Sequence, residues 1–348
     1  MKYIYNKNGI EAIQNFITQK KPSQIFILTD ENTQRHCLPL IKNKFPFKFT
    51  NVNIHSGDKY KNMDTLLYIW KELMDYGADR KSLLINLGGG MITDIGGFAA
   101  VTFKRGIDFI HIPTTLLGMV DASIGGKNGI NFMQAKNQIG TIIPPELVWI
   151  NTDFLSTLPA KEMDSGFAEM LKHGLIADET YWHELNEYHP FSTKPDFSKK
   201  LELIKKSVQI KDKVISSDPM EKGLRKILNF GHTLGHAIES YLNYEKNISI
   251  SHGKSVAIGM ILASYISNRL LDFPLKKLDD IKQKISYIYP PVSFSSKDIE
   301  KIIDLLKYDK KTENGMVQFV LLKEIGAPVW NRQVPKDYIY KAFEYYLK

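Results

Sequence analysis

The run Ser82-Leu83-Leu84-Ile85-Asn86-Leu87 passes directly into Gly88-Gly89-Gly90 and then into Met91-Ile92-Thr93-Asp94-Ile95-Gly96-Gly97. A buried strand that turns at once into a helix implies a sheet covered by helices, provided the same alternation recurs nearby. It does recur on the N-terminal side. Residues 24–29 read as a strand, 32–44 as a helix and 48–54 as a second strand. Residues 63–76 carry Leu66, Leu67, Ile69, Trp70, Leu73 and Met74 at helical spacing. This part of the chain is therefore expected to form a doubly wound, parallel α/β sheet. Glycines let a backbone approach a ligand, and a helix N-terminus offers free N–H groups and a positive dipole end. The turn thus suits a pyrophosphate. The pattern is not GxGxxG, but a tight strand-to-helix turn by itself would need one glycine, not three.

From about residue 159 the β signal fades. Residues 161–175, 197–216, 224–244, 252–271 and 275–288 all read as helices, and only the apolar run 316–322 hints at a late strand. A boundary near 155–160 divides the 348 residues into an α/β domain, 1–157, and a mainly helical domain, 158–348, each large enough for its own core. No stretch approaches the roughly 18 apolar residues of a membrane span, and the first residues lack the apolar core of a signal peptide. Cys37 is the single cysteine, which excludes a disulfide framework and a thiolate metal site and fits a reducing cytoplasm. The net charge of +8 is spread along the chain. Its densest patches, Lys199-Lys200, Lys205-Lys206 and Lys276-Lys277, lack interleaved aromatics. A small anionic substrate suits that distribution better than nucleic acid, and solubility alone would also account for it.

Three further motifs carry chemistry. Phe109-Ile110-His111-Ile112-Pro113-Thr114-Thr115 reads as a strand ending in two hydroxyls. It is followed by Asp121, the loop Gly125-Gly126-Lys127-Asn128-Gly129, and Lys136-Asn137. Singly these are weak, since hydroxyls at strand ends commonly cap the next helix. Together they put hydroxyls, a carboxylate and lysines on the ligand-binding side of an α/β sheet. Glu169 and Lys172 lie three apart on one helix and project from one face, which alone fits an ordinary surface ion pair. His232 and His236 lie four apart on another, and His252-Gly253 opens the next. Imidazoles one turn apart plus a carboxylate suit Zn²⁺. Gly231 and Gly235 would weaken that helix unless something packs closely on its backbone.

Taken in order, GGGMITDIGGF, FKRGIDFIHIPTTLLGMVDASIGGK, AKNQIG, TLPAKEMDSGFAEMLKHGLI, EKGLRKILNFGHTLGHAIE and HGKSVAIGM resemble the 3-dehydroquinate synthase family, from about Asp58 to Gly326. The resemblance implies an NAD-binding α/β domain, a mainly α-helical metal-binding domain and a homodimer. It implies NAD contacts from Asp58, Lys61, Gly88, Gly89, Gly90, Met91, Ile92, Thr93, Asp94, Thr114, Thr115, Lys127, Lys136, Phe154, Leu155, Ser156 and Thr157. Glu169, His232 and His252 would hold Zn²⁺ or Co²⁺, with His236 left for substrate and proton handling. Asp121, Lys127, Asn137, Lys172, Lys211, Arg225, Asn229, Lys310 and Lys311 would surround the substrate, and Arg105 would reach the neighbouring subunit's phosphate site. The implied reaction closes 3-deoxy-D-arabino-heptulosonate 7-phosphate to 3-dehydroquinate. It proceeds through transient oxidation by NAD, phosphate elimination, re-reduction and an aldol step. Asp58 stands where the family usually has Glu. Lys254 also stands where Glu is usual, and it is expected to point into solvent. Other readings are a sister sugar phosphate cyclase, such as a 2-deoxy-scyllo-inosose synthase, and a metal-dependent polyol dehydrogenase.

Overall fold

A computed structural model describes residues 1–133, 135–188, 197–306, 312–313 and 316–348. The first elements are β1 (Tyr3–Tyr5), α1 (Asn8–Lys20), β2 (Ile25–Asp30), α2 (Glu31–His36), α3 (Leu38–Lys42), β3 (Thr50–Ile54), α4 (Met63–Asp75), β4 (Leu83–Gly88), α5 (Gly90–Thr102), β5 (Asp108–Pro113), β6 (Lys127–Phe132), β7 (Ala135–Ile142) and β8 (Val148–Ile150). Next come α6 (Ala160–Ala177), α7 (Glu179–Glu187), α8 (Phe197–Ser217), α9 (His232–Ser240), α10 (His252–Leu271), α11 (Leu275–Ile288) and α12 (Ser296–Leu305). The chain ends with β9 (Thr312–Glu313), β10 (Met316–Glu324), β11 (Ala327–Gln333) and α13 (Lys336–Leu347). Contacts divide the described residues into two compact units, one made of residues 1–166 with 197–204 and the other of the remaining residues.

In the first unit six parallel strands form one sheet in the order β1-β8-β5-β4-β2-β3. β2 and β4 are fully buried, as continuous apolar strands in a sheet covered on both faces should be. β4 pairs with β2 on one side and β5 on the other, Ile85 opposite Ile27 and Ile110. The chain passes from β2 outward to β3 and then back to β4, so the order reverses between β2 and β4. Sheets of this kind bind ligands at the carboxyl ends of strands beside such a reversal, and Gly88 ends β4 there. α4 and α5 cover one face through Leu66, Ile69, Leu73, Ile92, Ile95 and Phe98, packed on Phe26, Leu28, Val52 and Leu84.

The expected helix over 32–44 is two short helices. Pro39 sits in the first turn of α3 and has no N–H with which to continue α2. Lys127-Asn128-Gly129, read as part of a loop, and Lys136-Asn137 lie in an antiparallel hairpin of β6 and β7. Its polar, glycine-containing strands hide the period-two pattern.

The second unit is helical apart from an antiparallel ribbon in the order β11-β10-β9. α10 is its central helix. Apart from half-buried Lys254, every residue from Gly253 to Ser267 is buried, and helices apolar all round belong in cores. Ser251 caps it by accepting from Lys254 N. The expected helix over 224–244 is interrupted. Leu224–Asn229 is a 3-10 segment, Gly231 takes φ +75°, and α9 spans only nine residues before a π-helical turn. The late strand at 316–322 is present, lengthened to Glu324 and paired with β11.

Candidate active site

The α/β unit gathers several of the sequence candidates. Gly89, which starts α5, supplies no side-chain cap, and no acidic residue occupies the helix's first turn. The N–H groups of that first turn receive no cap from their own helix, a suitable end for a phosphate. A Cβ at Gly89 would lie 2.9 Å from Thr115 Cγ2, so the β4–α5 turn and the end of β5 approach closely. Thr114 N donates to Gly88 O at 3.0 Å, and Thr115 Oγ1 accepts from Gly118 N at 3.0 Å.

Beside α5, Lys61 Nζ donates to Asp94 Oδ2 and Asn137 Oδ1, both at 2.5 Å. Asn131, which the motifs did not single out, donates through Nδ2 to Asp58 Oδ2 at 3.2 Å. Its Oδ1 accepts from Asn137 N at 2.9 Å. Lys136 Nζ lies 3.7 Å from Asp58 Oδ2. Asp58, Lys61, Asp94, Lys136 and Asn137 therefore form one connected network.

Met91 is half-buried and Ile92 is core. Thr93 is buried, its hydroxyl donating to Gly90 O at 3.0 Å. The Phe154 and Leu155 side chains belong to the core, Phe154 edge-on to Trp149, so only their backbones can serve a ligand. Ser156 donates to Asp153 O at 2.7 Å, and Thr157 is exposed. Lys127 is exposed and Asp121 half-buried. Arg105 is exposed with φ +71°, directly after Lys104 at φ +48°.

The helical unit brings Glu169 of α6 together with His232 and His236 of α9 and His252 of α10. The side chain of Glu169 is fully buried and ion-paired to buried Lys172. Nε2 of His232 and of His252 lie 3.3 and 3.4 Å from Glu169 Oε1. Two atoms each about 2.0–2.1 Å from a tetrahedral zinc are about 3.3–3.4 Å apart, so both imidazole nitrogens already stand at ligand-to-ligand spacing from the carboxylate. A fully buried carboxylate is costly unless positive groups or donors face it, and here Lys172 faces Oε2 while the two imidazoles face Oε1. The donor set, one oxygen and two imidazole nitrogens, suits Zn²⁺ or Co²⁺. His236 is the third imidazole. The ligating nitrogens of His232, His236 and His252 lie within 4.8 Å of one another, and the rings of His232 and His236 share one face of α9, 5.1 Å between centroids.

The charges are tuned by burial and by each other. Burial alone would raise Glu169. The Lys172 ammonium and then His232 oppose it and hold the carboxyl well below the usual range. His232 is pushed down, first by burial and then by Lys172. Burial also opposes the charged form of His252, but hydrogen bonds to Glu169 and Glu239 win and raise it to about 9.

α9 and α10 cross at very short range. A Cβ at Gly259 would lie 1.9 Å from Gly231 O and 2.8 Å from Gly235 N. The glycines beside the histidines thus let α10 press against α9 and bring His252 to His232. Among the remaining candidates, Lys211 and Arg225 are buried. Arg225 donates to Pro219 O at 2.6 Å, and Asn229 Nδ2 donates to Glu221 Oε1 at 3.0 Å. Lys310 and Lys311 lie outside the described residues. Lys254, expected in solvent, is half-buried. Sequence reasoning gave no role to Glu239, whose buried carboxylate touches His252. Its place on α9, three residues after His236, was the available signal.

Two solved structures share this fold over nearly the whole chain. One is a 2-deoxy-scyllo-inosose synthase complexed with carbaglucose-6-phosphate, NAD+ and Co2+, with TM-score 0.83 and 26% identity, covering 98% of this chain and 95% of that one. The other is a 2-epi-5-epi-valiolone synthase from Streptomyces hygroscopicus with NAD+ and Zn2+ bound, with TM-score 0.85 and 25% identity, covering 99% and 96%. The fold is that of the dehydroquinate synthase-like sugar phosphate cyclases.

Within that class, residues 51–165 match the model of the 3-dehydroquinate synthase N-terminal region and residues 166–312 that of the C-terminal region. The chain belongs to the 3-dehydroquinate synthase family. The 3-dehydroquinate synthase of Parabacteroides distasonis is 41% identical over 346 residues, covering 99% of this chain and 97% of that protein.

Proposed function

We propose that the chain converts 3-deoxy-D-arabino-heptulosonate 7-phosphate to 3-dehydroquinate and inorganic phosphate, as a carbon–oxygen lyase of aromatic amino-acid biosynthesis. The observation that carries the reading is the convergence of Glu169, His232 and His252 at metal-ligand spacing. When bound, NAD supplies a hydride acceptor regenerated within each turnover, and Zn²⁺ or Co²⁺ supplies Lewis-acid polarisation of the substrate's alcohol and ketone oxygens.

In this reading the N–H groups from Gly89 to Ile92 hold the dinucleotide pyrophosphate. Thr114, Thr115, Lys127 and the Asp58–Lys61–Asp94–Lys136 network position the rest of the cofactor. Glu169, His232 and His252 hold the metal. His236 handles a proton at its ring nitrogen, a role suited to imidazole. Lys172, Lys211, Arg225, Asn229, Asn137 and Asp121 surround the substrate, with Lys310 and Lys311, and the cations balance its phosphate and carboxylate. Residues 1–157 form the NAD-binding domain and 158–348 the metal- and substrate-binding domain. The protein works as a homodimer in the cytoplasm, with Arg105 completing the neighbouring subunit's phosphate site. Among the described residues no helix is long and apolar enough to cross a membrane. The 41% identity to a dehydroquinate synthase, against 25–26% to the cyclases acting on other sugars, favours the seven-carbon substrate.

The test is to incubate the purified protein with the heptulosonate phosphate, catalytic NAD and Zn²⁺ or Co²⁺ while following phosphate and NADH. Stoichiometric phosphate with no net NADH is expected. Net NADH from a polyol without phosphate release would replace the synthase with a dehydrogenase.

A further inference from the structure

Glu239 has no part in the roles assigned so far, yet it is a buried carboxylate in contact with a metal-ligand candidate. It lies on α9 three residues beyond His236 and is 6% exposed. Its Oε2 stands 3.1 Å from Nδ1 of His252. We propose that Glu239 is a positioning residue for the metal: its carboxylate accepts the Nδ1–H of His252 and so fixes the tautomer and the ring angle that leave the Nε2 lone pair for the ion. The inference rests on the metal-site reading above.

The geometry supports a directed role. The nitrogen that faces Glu239 is not the one that faces Glu169, whose Oε1 is 3.4 Å from Nε2. One ring is thus gripped at one end and presented at the other. His232 is arranged in the same way with a weaker acceptor, its Nδ1 lying 3.1 Å from the carbonyl oxygen of Phe230. The two imidazoles therefore take the same tautomer, one set by a neutral backbone dipole and one by a charge. A hydrogen bond to an ionised acceptor is about twice as strong as a neutral one. The difference falls where it is needed. The side chain of His232 is 11% exposed and that of His252 is 27% exposed, so packing restrains the second ring less and the carboxylate must restrain it more. Groups that orient metal-bound histidines through the distal nitrogen typically contribute about 10- to 100-fold in metal affinity.

The test compares wild type, Glu239→Gln and Glu239→Ala. Zn²⁺ affinity is measured by competition with a chromophoric chelator, the visible spectrum of the Co²⁺-loaded protein is recorded, and folding is followed by far-ultraviolet circular dichroism. The Ala variant is expected to bind Zn²⁺ about 10- to 100-fold more weakly, with an altered Co²⁺ spectrum and an unchanged fold. The Gln variant keeps an accepting oxygen without the charge and should fall between. An Ala variant within about twofold of wild-type affinity overturns the proposal, even if its thermal stability is lower, because a merely structural residue would behave that way. If the Ala variant does not fold, Gln decides, and wild-type affinity in Gln overturns the assignment of a charged acceptor. Absence of tight Zn²⁺ binding in wild type would instead sink the metal-site reading itself, so the two failures are distinguishable.

Discussion

Replacing Gly259 with alanine should move one side of the proposed metal site away from the other. The added Cβ would stand 1.9 Å from Gly231 O, against about 3.4 Å for ordinary contact, so the helices must separate locally by about 1.5 Å. The obstacle is a backbone oxygen, which has no rotamer through which to escape. Alanine gains about 1 kcal/mol over glycine in a helix interior, but overpacking of this kind costs about 1–3 kcal/mol or more. The steric cost should win. The melting temperature is then expected to drop by a few degrees, given about 2–4 °C per kcal/mol for units of this size. The larger effect is on ligation. Metal sites tolerate displacements of about 0.2 Å, and His232 and His252 sit on the two helices being pushed apart. Gly259→Ala should therefore lose Zn²⁺ affinity by far more than its stability loss suggests. The assay pairs a thermal melt with a chelator competition on the same preparation. A variant with a raised melting temperature and wild-type Zn²⁺ affinity would refute the reasoning, because the close crossing would then be dispensable.

His232→Ala should abolish phosphate release while leaving the circular dichroism spectrum intact; unchanged turnover would remove His232 from the metal set. Glu169→Gln leaves the Lys172 ammonium buried without its counter-charge, which costs about 3–5 kcal/mol. The double variant with Lys172→Met should recover most of that loss in urea melts of metal-free protein, and a Glu169→Gln variant as stable as wild type would contradict the buried ion pair. In metal-free protein His252 is raised to about 9 and is protonated at pH 7.5, whereas His232 is lowered and already neutral. Zn²⁺ loading at pH 7.5 should thus release about one proton from this pair, and the release should vanish as pH rises past about 9. The same raised value means that His252 contributes its full stability below 6.5 and loses it as pH climbs through 9. Calorimetry in buffers of different ionisation enthalpy reads the proton count, and a heat independent of buffer at pH 7.5 would contradict it.

Much of this was legible where local chemistry and tertiary demand agree. α10 and α11 begin and end at the residues their periodicity indicates, because Ser251 caps the first and Pro274 opens the second. The β4–α5 turn was legible because three consecutive glycines have few other uses. The helix expected over 224–244 was not, since apolar spacing continues through Phe230 while Gly231 turns the backbone to positive φ. The β6–β7 hairpin was hidden by strands such as Lys127-Asn128-Gly129, whose pairing is set by the partner strand and not by propensity. In the site, His232 and His236 were visible as a pair because both lie on α9. Glu239 and Asn131 act on residues that only the fold brings near, His252 and Asn137, and no spacing rule joins them.

The three arms that meet at Glu169 Oε1 come from α6 and from α9 and α10, which follow it much later in the chain. An ion held there would clasp them as a cross-link does, while binding nothing comparable in the unfolded chain. At one hundred times its dissociation constant, such an ion adds about 2.7 kcal/mol to the folded state, a large share of any domain's margin. Starving cells of zinc or cobalt would therefore shorten the lifetime of the polypeptide as well as idle it. Protein level, followed by immunoblot after chelation, would fall along with activity.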